Sequence, residues 1–94
     1  MNFILGTSYF IGDLNTRCSD RSAERIKTLD ECKAAADDLE GSGHDWMDFY
    51  GSIRSPTNPE GCYYDTYEEV VYYNTITKGK ANEESLPICK AGGK

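Results

Sequence analysis

The sequence predicts an α+β domain: one α-helix packed on a small antiparallel β-sheet, with two disulfides holding the layers together. Three observations carry that expectation. In "TLDECKAAADDLEG" (28–41), Leu29, Cys32, Ala36 and Leu39 recur at helical spacing and form a single apolar stripe. In "GCYYDTYEEVVYYNT" (61–75), β-type residues at 62–64 and from 70 to 76 flank a polar connection from Asp65 to Glu69, the pattern of a hairpin. Four cysteines stand at positions 18, 32, 62 and 89 with no C-x-x-C pair and one histidine, His44, in the chain. A structural zinc site needs close ligand pairs, so the cysteines read as two disulfides.

The helix carries its own start signal. Thr28 is an N-cap candidate and Glu31, three residues on, completes a capping box, while Gly41 supplies a stop. Asp37, Asp38 and Glu40 crowd the last turn, where the macrodipole disfavours negative charge. Upstream, "NFIL" (2–5) reads as a short strand closed by Gly6, and "SYFIG" as a second apolar patch. "GSGHDWMDFYGS" (41–52) reads as irregular or part strand, with Trp46, Phe49 and Tyr50 turned inward. "IRSPTNPEG" (53–61), with two prolines and a glycine, reads as a surface loop. "TKGKANEES" (77–85) is a further loop, and "LPICK" (86–90) a last strand. The chain is then one small domain over residues 1–94, with a core from about residue 3 to residue 90 and a tail at 91–94.

Leu, Ile, Val and Phe make up only 16 of the 94 residues, and the net charge is −6. Such a chain lies near the disordered class. Seven tyrosines, one tryptophan and the cysteines oppose that, because each aromatic buries roughly 150–250 Å². Small domains with thin cores are commonly stapled by disulfides, and these persist in oxidising compartments. The N-terminal "MNFILGTSYFIGDL" has neither the basic start of a signal peptide nor the unbroken apolar length of a membrane span. The expected location is extracellular or an organelle lumen, the chain being a mature form or an excised module, with no direct membrane insertion. An acidic chain without a basic patch excludes nucleic acid as partner.

Strand alternation sorts the tyrosines. Val71 and Tyr73 share one face of the hairpin, Val70 and Tyr72 the other, and a buried Cys62 places Tyr64 inside and Tyr63 outside. Tyr63, Tyr72 and Tyr67 are then outside. They form either a binding platform or cross-strand pairs that stabilise the sheet.

"TLDECKAAADDLE", "PEGCYYD", "VYYNT" and "LPICK", in this order, resemble a cysteine-rich module abundant in algal and other marine protist proteins, of the pattern E-C-x-A-A-A-x-x-L, P-x-G-C-Y, V-Y-F-N, P-I-C-K. The resemblance covers residues 5 to 90, with Leu5–Gly6 matching the usual opening. It implies a secreted or multidomain protein context without assigned activity. In that module a proline-glycine turn follows the first cysteine, where this chain has "SDRSAERI". A helix cysteine answering a strand cysteine is also loosely similar to PAN/apple domains, extracellular adhesion modules. Of three connectivities, geometry favours Cys32–Cys62, since Cys32 lies on the helix stripe that faces the sheet, and Cys18–Cys89, since these two flank the folded unit.

Catalysis is not expected: the cysteines are oxidised and His44, beside Asp45, lacks a strand–turn–helix setting. The acids Asp37, Asp38, Glu40, Asp45 and Asp48 match no EF-hand spacing and read as a solvated surface rather than a calcium site; neither metal nor cofactor is expected. The remaining reading is a non-enzymatic module that binds other proteins, in one version a small lumen-side accessory subunit of a photosynthetic membrane complex. The alternatives are carbohydrate binding through Tyr63, Tyr67, Tyr72 and Trp46, and a purely structural domain. Trp46, Met47 and Tyr50 would extend the protein-binding patch if they lie outside.

Overall fold

A computed structural model describes residues 8–41 and 48–91. The strand expected at 2–5, residues 92–94 of the expected tail, and Trp46, Met47, His44 and Asp45 lie outside the described residues. Six strands, β1 (Tyr9–Ile11), β2 (Glu24–Arg25), β3 (Asp48–Ile53), β4 (Gly61–Asp65), β5 (Val70–Asn74) and β6 (Ser85–Lys90), join one helix, α1 (Leu29–Gly41). They form one sheet in the order β1-β6-β4-β5-β3, with β2 also pairing β6. The α+β class holds, but the sheet is mixed rather than antiparallel, because β3 runs parallel to β5.

The parallel pair follows from a crossing loop. Residues 54–60 carry the chain from β3 past β5 to β4, so β5 returns between its two predecessors. Asn74, the last residue of β5, is 1% exposed beneath that loop. Its Oδ1 accepts the Ser55 N–H at 2.9 Å and the Ile76 N–H at 3.3 Å. Its Nδ2 donates to the carbonyls of Ser55 (2.8 Å) and Pro59 (2.9 Å), and more weakly to that of Asn58 (3.3 Å). Asn58 Nδ2 donates in turn to Ser55 Oγ, and its Oδ1 accepts from the buried Ser85 hydroxyl. One asparagine thus satisfies the backbone that a buried crossing would orphan. The segment expected as a surface loop is partly interior, with Pro59 fully buried. Gly79 packs so close that a Cβ there would stand 2.1 Å from the Asn58 carbonyl oxygen.

The helix covers one sheet face. Cys32, Ala35, Ala36 and Leu39 are buried against Ile26, Cys62, Tyr64, Val71 and Ile88, with Tyr9, Ile11, Phe49, Tyr73 and Leu86 packed around them. Leu29, assigned to the stripe by spacing, is 41% exposed, and Ala35 takes its place in the core. Thr28 caps the helix by accepting the Glu31 N–H at 3.1 Å. The reciprocal half of the box does not form. Glu31 turns its carboxylate to the Tyr9 hydroxyl (3.0 Å) and to Lys90 (3.4 Å), linking the first helical turn to β1 and β6. Gly41 is the final helical residue rather than the stop beyond it. Within the acidic last turns, Asp37 pairs with Lys33 at 3.6 Å.

Both expected disulfides are present, Cys18–Cys89 and Cys32–Cys62, and no described cysteine is free. The unusual segment after Cys18 forms a 3₁₀ turn, Cys18–Arg21, closed by Ser22 in the left-handed region at φ 57° and followed by β2. No described helix is long and apolar enough to cross a membrane.

Two predictions follow from these constraints. Replacing Asn74 by Ala strands the crossing loop's polar groups and should destabilise the fold by about 2–4 kcal/mol in urea unfolding, with no change in m-value. The bridges close separations of 71 and 30 residues. Removing each as a double Cys→Ala variant should cost about 4 kcal/mol for Cys18–Cys89 and somewhat less for Cys32–Cys62, read from denaturation midpoints.

Candidate aromatic interface

On the face opposite the helix, tyrosines form a row across three neighbouring strands. Tyr63 of β4 and Tyr72 of β5 are register partners, with ring centroids 5.6 Å apart. Tyr50 of β3 lies over Tyr72 at 4.9 Å. On its other side Tyr63 pairs in register with Pro87 of β6. The row ends outward: Tyr63 is 1% exposed, Tyr72 8% and Tyr50 66%.

Strand alternation places Tyr50 there, one residue after the helix-facing Phe49, and a β-bulge lies at the same point. The β3–β5 register skips from Phe49↔Val71 to Gly51↔Tyr72, leaving Tyr50 as the extra residue. Gly51 holds φ at +137°, a conformation that side-chain-bearing residues rarely adopt. Phe49 keeps to the helix-side core and Tyr50, expected to turn inward with it, joins the opposite face as its neighbour in the strand.

The alternation itself was legible: Tyr64, Val71 and Tyr73 face the helix, and Tyr63 and Tyr72 face away. Their exposure was not. Tyr63 and Tyr72, assigned to a solvent-facing binding face, are buried, because side chains of neighbouring strands flank them on that face: Pro87 of β6 and Tyr72 beside Tyr63, Tyr63 and Tyr50 beside Tyr72. They are the cross-strand pair, not the platform. Tyr67 is 82% exposed on the turn between β4 and β5. That turn is closed by Asp65, whose Oδ1 accepts the N–H groups of Tyr67 (2.8 Å) and Glu68 (2.9 Å) and whose carbonyl accepts that of Glu69 (2.7 Å). Tyr50 is the residue that sequence reasoning misplaced. The available signal was alternation, since with Phe49 turned inward the next residue of a strand faces the other way.

Carboxylates set the electrostatics of the row. The Tyr72 hydroxyl donates to Glu68 Oε1. That bond, then burial, pushes Tyr72 up to about 12. Tyr63 is raised chiefly by burial and further by Asp65, and Tyr64 by burial with Glu69, Asp65 and Asp48. Among the described residues no group of three or more potential ligands could hold a metal ion; Asp45 of the acidic stretch lies outside them.

Compared with protein-family models, with curated proteins and with solved structures, the chain matches none.

The raised tyrosines set a pH window. A phenol whose folded pKa exceeds its unfolded value near 10 favours the fold while protonated, so the native state binds more protons than the unfolded chain above that pH. Stability should be unaffected by these groups below about pH 10 and fall between about pH 10 and 12, the Tyr72 window. Absorbance titration at the phenolate band should show late-ionising tyrosines that merge with the rest in urea. In Glu68→Ala, Tyr72 should ionise earlier.

Proposed function

We propose that this protein is a non-enzymatic protein-interaction module of an oxidising compartment and that it docks through the Tyr50–Tyr67 end of its sheet. One observation carries the reading: Tyr50 is 66% exposed yet seated on a buried ring pair, Tyr72 and Tyr63. A ring held by its neighbours loses little freedom on binding, and tyrosine is among the residues that dominate interface energies. The two disulfides support an environment that keeps thiols oxidised. An extracellular or lumenal site accords with this. The likeness of "DECKAAADDLE" and "LPICK" to the algal module supports an accessory-subunit version, including one on the lumen side of a photosynthetic membrane complex.

Carbohydrate binding draws less support. It called on Tyr63, Tyr67, Tyr72 and Trp46, and burial withdraws Tyr63 and Tyr72 from stacking on a sugar.

The test is photo-crosslinking of the native, oxidised protein in extract from its source, with a photoactivatable phenylalanine analogue at position 50 or 67 and at the exposed Ser19 as control. A fixed set of proteins joined from 50 and 67 but not from 19, and lost from position 67 in Tyr50→Ala, is the expected result. Equal capture from all three positions, or a glycan-array signal without protein capture, would overturn the reading.

A further inference from the structure

The four large hydrophobic side chains exposed among the described residues are Leu14, Leu29, Tyr50 and Tyr67. The two tyrosines belong to one end of the sheet. Asp48 and Asp65 are both register partners of Val70, so the start of β3, the end of β4 and the 66–69 turn meet there. That end also gathers Glu68 and Glu69. Asp48, Asp65 and Glu69 all act on the Tyr64 hydroxyl, consistent with their convergence.

The charge of this end is all of one sign. Five acids elsewhere have cationic partners, Asp13 with Arg21, Glu24 and Glu31 with Lys90, Asp37 with Lys33, and Glu60 with Arg17, whereas Asp30, Glu83 and Glu84, like the acids here, form no ion pair among the described residues; what sets this end apart is that its acids stand beside exposed rings. Asp48, Asp65, Glu68 and Glu69 form no ion pair among the described residues. The segments that build this end explain why: no Lys or Arg occurs between Lys33 and Arg54 or between Arg54 and Lys78. Asp65 is occupied in capping the turn and Glu68 accepts from Tyr72, so these two fix the geometry. Asp48 and Glu69 are both exposed, and no hydrogen bond engages either carboxylate within the described residues.

We propose that this end of the sheet is a docking surface for a cationic protein segment, whose arginine or lysine side chains lie over Tyr50 and Tyr67 between Asp48, Glu68 and Glu69. The inference rests on the protein-interaction reading above and adds the partner's chemistry. Two physical reasons converge on it. A guanidinium or ammonium within about 6 Å of a tyrosine ring is drawn to its face. Carboxylates that lack an internal cation attract an external one, raising the encounter rate and selecting against acidic partners. A neutral apolar partner would use the rings but leave the flanking carboxylates desolvated and unpaired, which is costly.

The test uses the full, oxidised chain and a short peptide alternating arginine and serine, followed by amide chemical shifts in low and physiological salt, with a glutamate–serine peptide as control. The arginine peptide should shift residues 48–52 and 65–72 and bind more weakly as salt rises, while the control does nothing. Tyr50→Ala should weaken binding about tenfold and Tyr50→Phe should keep most of it. Asp48→Asn combined with Glu69→Asn should weaken binding and flatten its salt dependence. Asn suits position 69, where φ is 64°. Thermal melts of each variant show whether the fold is kept. Shifts centred on Asp37, Asp38 and Glu40, or spread over the whole surface, would overturn the proposal, as would undiminished binding to a folded Tyr50→Ala. A crosslinked partner whose contacting segment is neutral or acidic would overturn the cationic specificity and leave the docking surface standing.

Discussion

The bond between Cys32 and Cys62 is the constraint on which the rest of this structure depends. The helix presents only Cys32, Ala35, Ala36 and Leu39 to the sheet, a stripe with little apolar area. At about 0.8 kcal/mol per buried CH₂, two alanines and one leucine hold a helix weakly against the entropy of ordering it. The bridge joins the N-terminal end of that stripe to the central strand β4, with the two Cα atoms 5.3 Å apart. The small Ala35 and Ala36 that follow it allow the close approach. The second bridge ties the turn after β1 to the last strand, and the Tyr9–Glu31–Lys90 contacts brace the same region. Covalent pinning thus does part of what a larger aliphatic core does elsewhere, in keeping with a chain of 94 residues that has few aliphatic side chains.

Once the helix occupies one face, the other face must be closed by what the strands themselves carry. It is closed by rings. Tyr63 and Tyr72 cover the middle of the sheet, and the Asn74-centred loop covers the end toward Ile53 and Gly61. A polar plug at one end and aromatic rings along the row let a sheet with two buried faces form from a hydrophilic sequence. Among the described residues, no buried side-chain nitrogen or oxygen lacks a hydrogen-bond partner. The polar interior is therefore compatible with a single native arrangement.

The same closure creates the interface. Because the row is buried at Tyr63 and open at Tyr50, its exposed ring lies near the start of β3, where Asp48 also stands. Tyr50 is open because β3 is the last strand of the sheet, with β5 on one side only. Functional surface and fold share the Tyr72 ring, which packs on Tyr63 and seats Tyr50. A substitution at Tyr72 would therefore disturb both, whereas Tyr50 and Tyr67 can be altered with the scaffold kept.

Local pattern determined a good deal by itself. The helix from its stripe and Thr28 cap, the β4–β5 hairpin, the face assignments of Tyr63, Tyr64, Val71 and Tyr72, and the sheet-facing side of Cys32 depend on periodicity or on which side of one element a residue occupies, and these are properties of short range, while Cys18–Cys89 followed from these two residues flanking the folded unit. What the tertiary structure decided is everything that depends on which strands become neighbours. The parallel β3–β5 pair exists because Asn74 anchors a loop that crosses β5, and no local pattern distinguishes a crossing loop from a surface one. The burial of Tyr63 follows from its place between Tyr72 of β5 and Pro87 of β6, and the exposure of Tyr50 from β3 lying at the edge of the sheet. Alternation fixes the side of a strand on which a residue lies; only the assembled sheet fixes whether that side meets water.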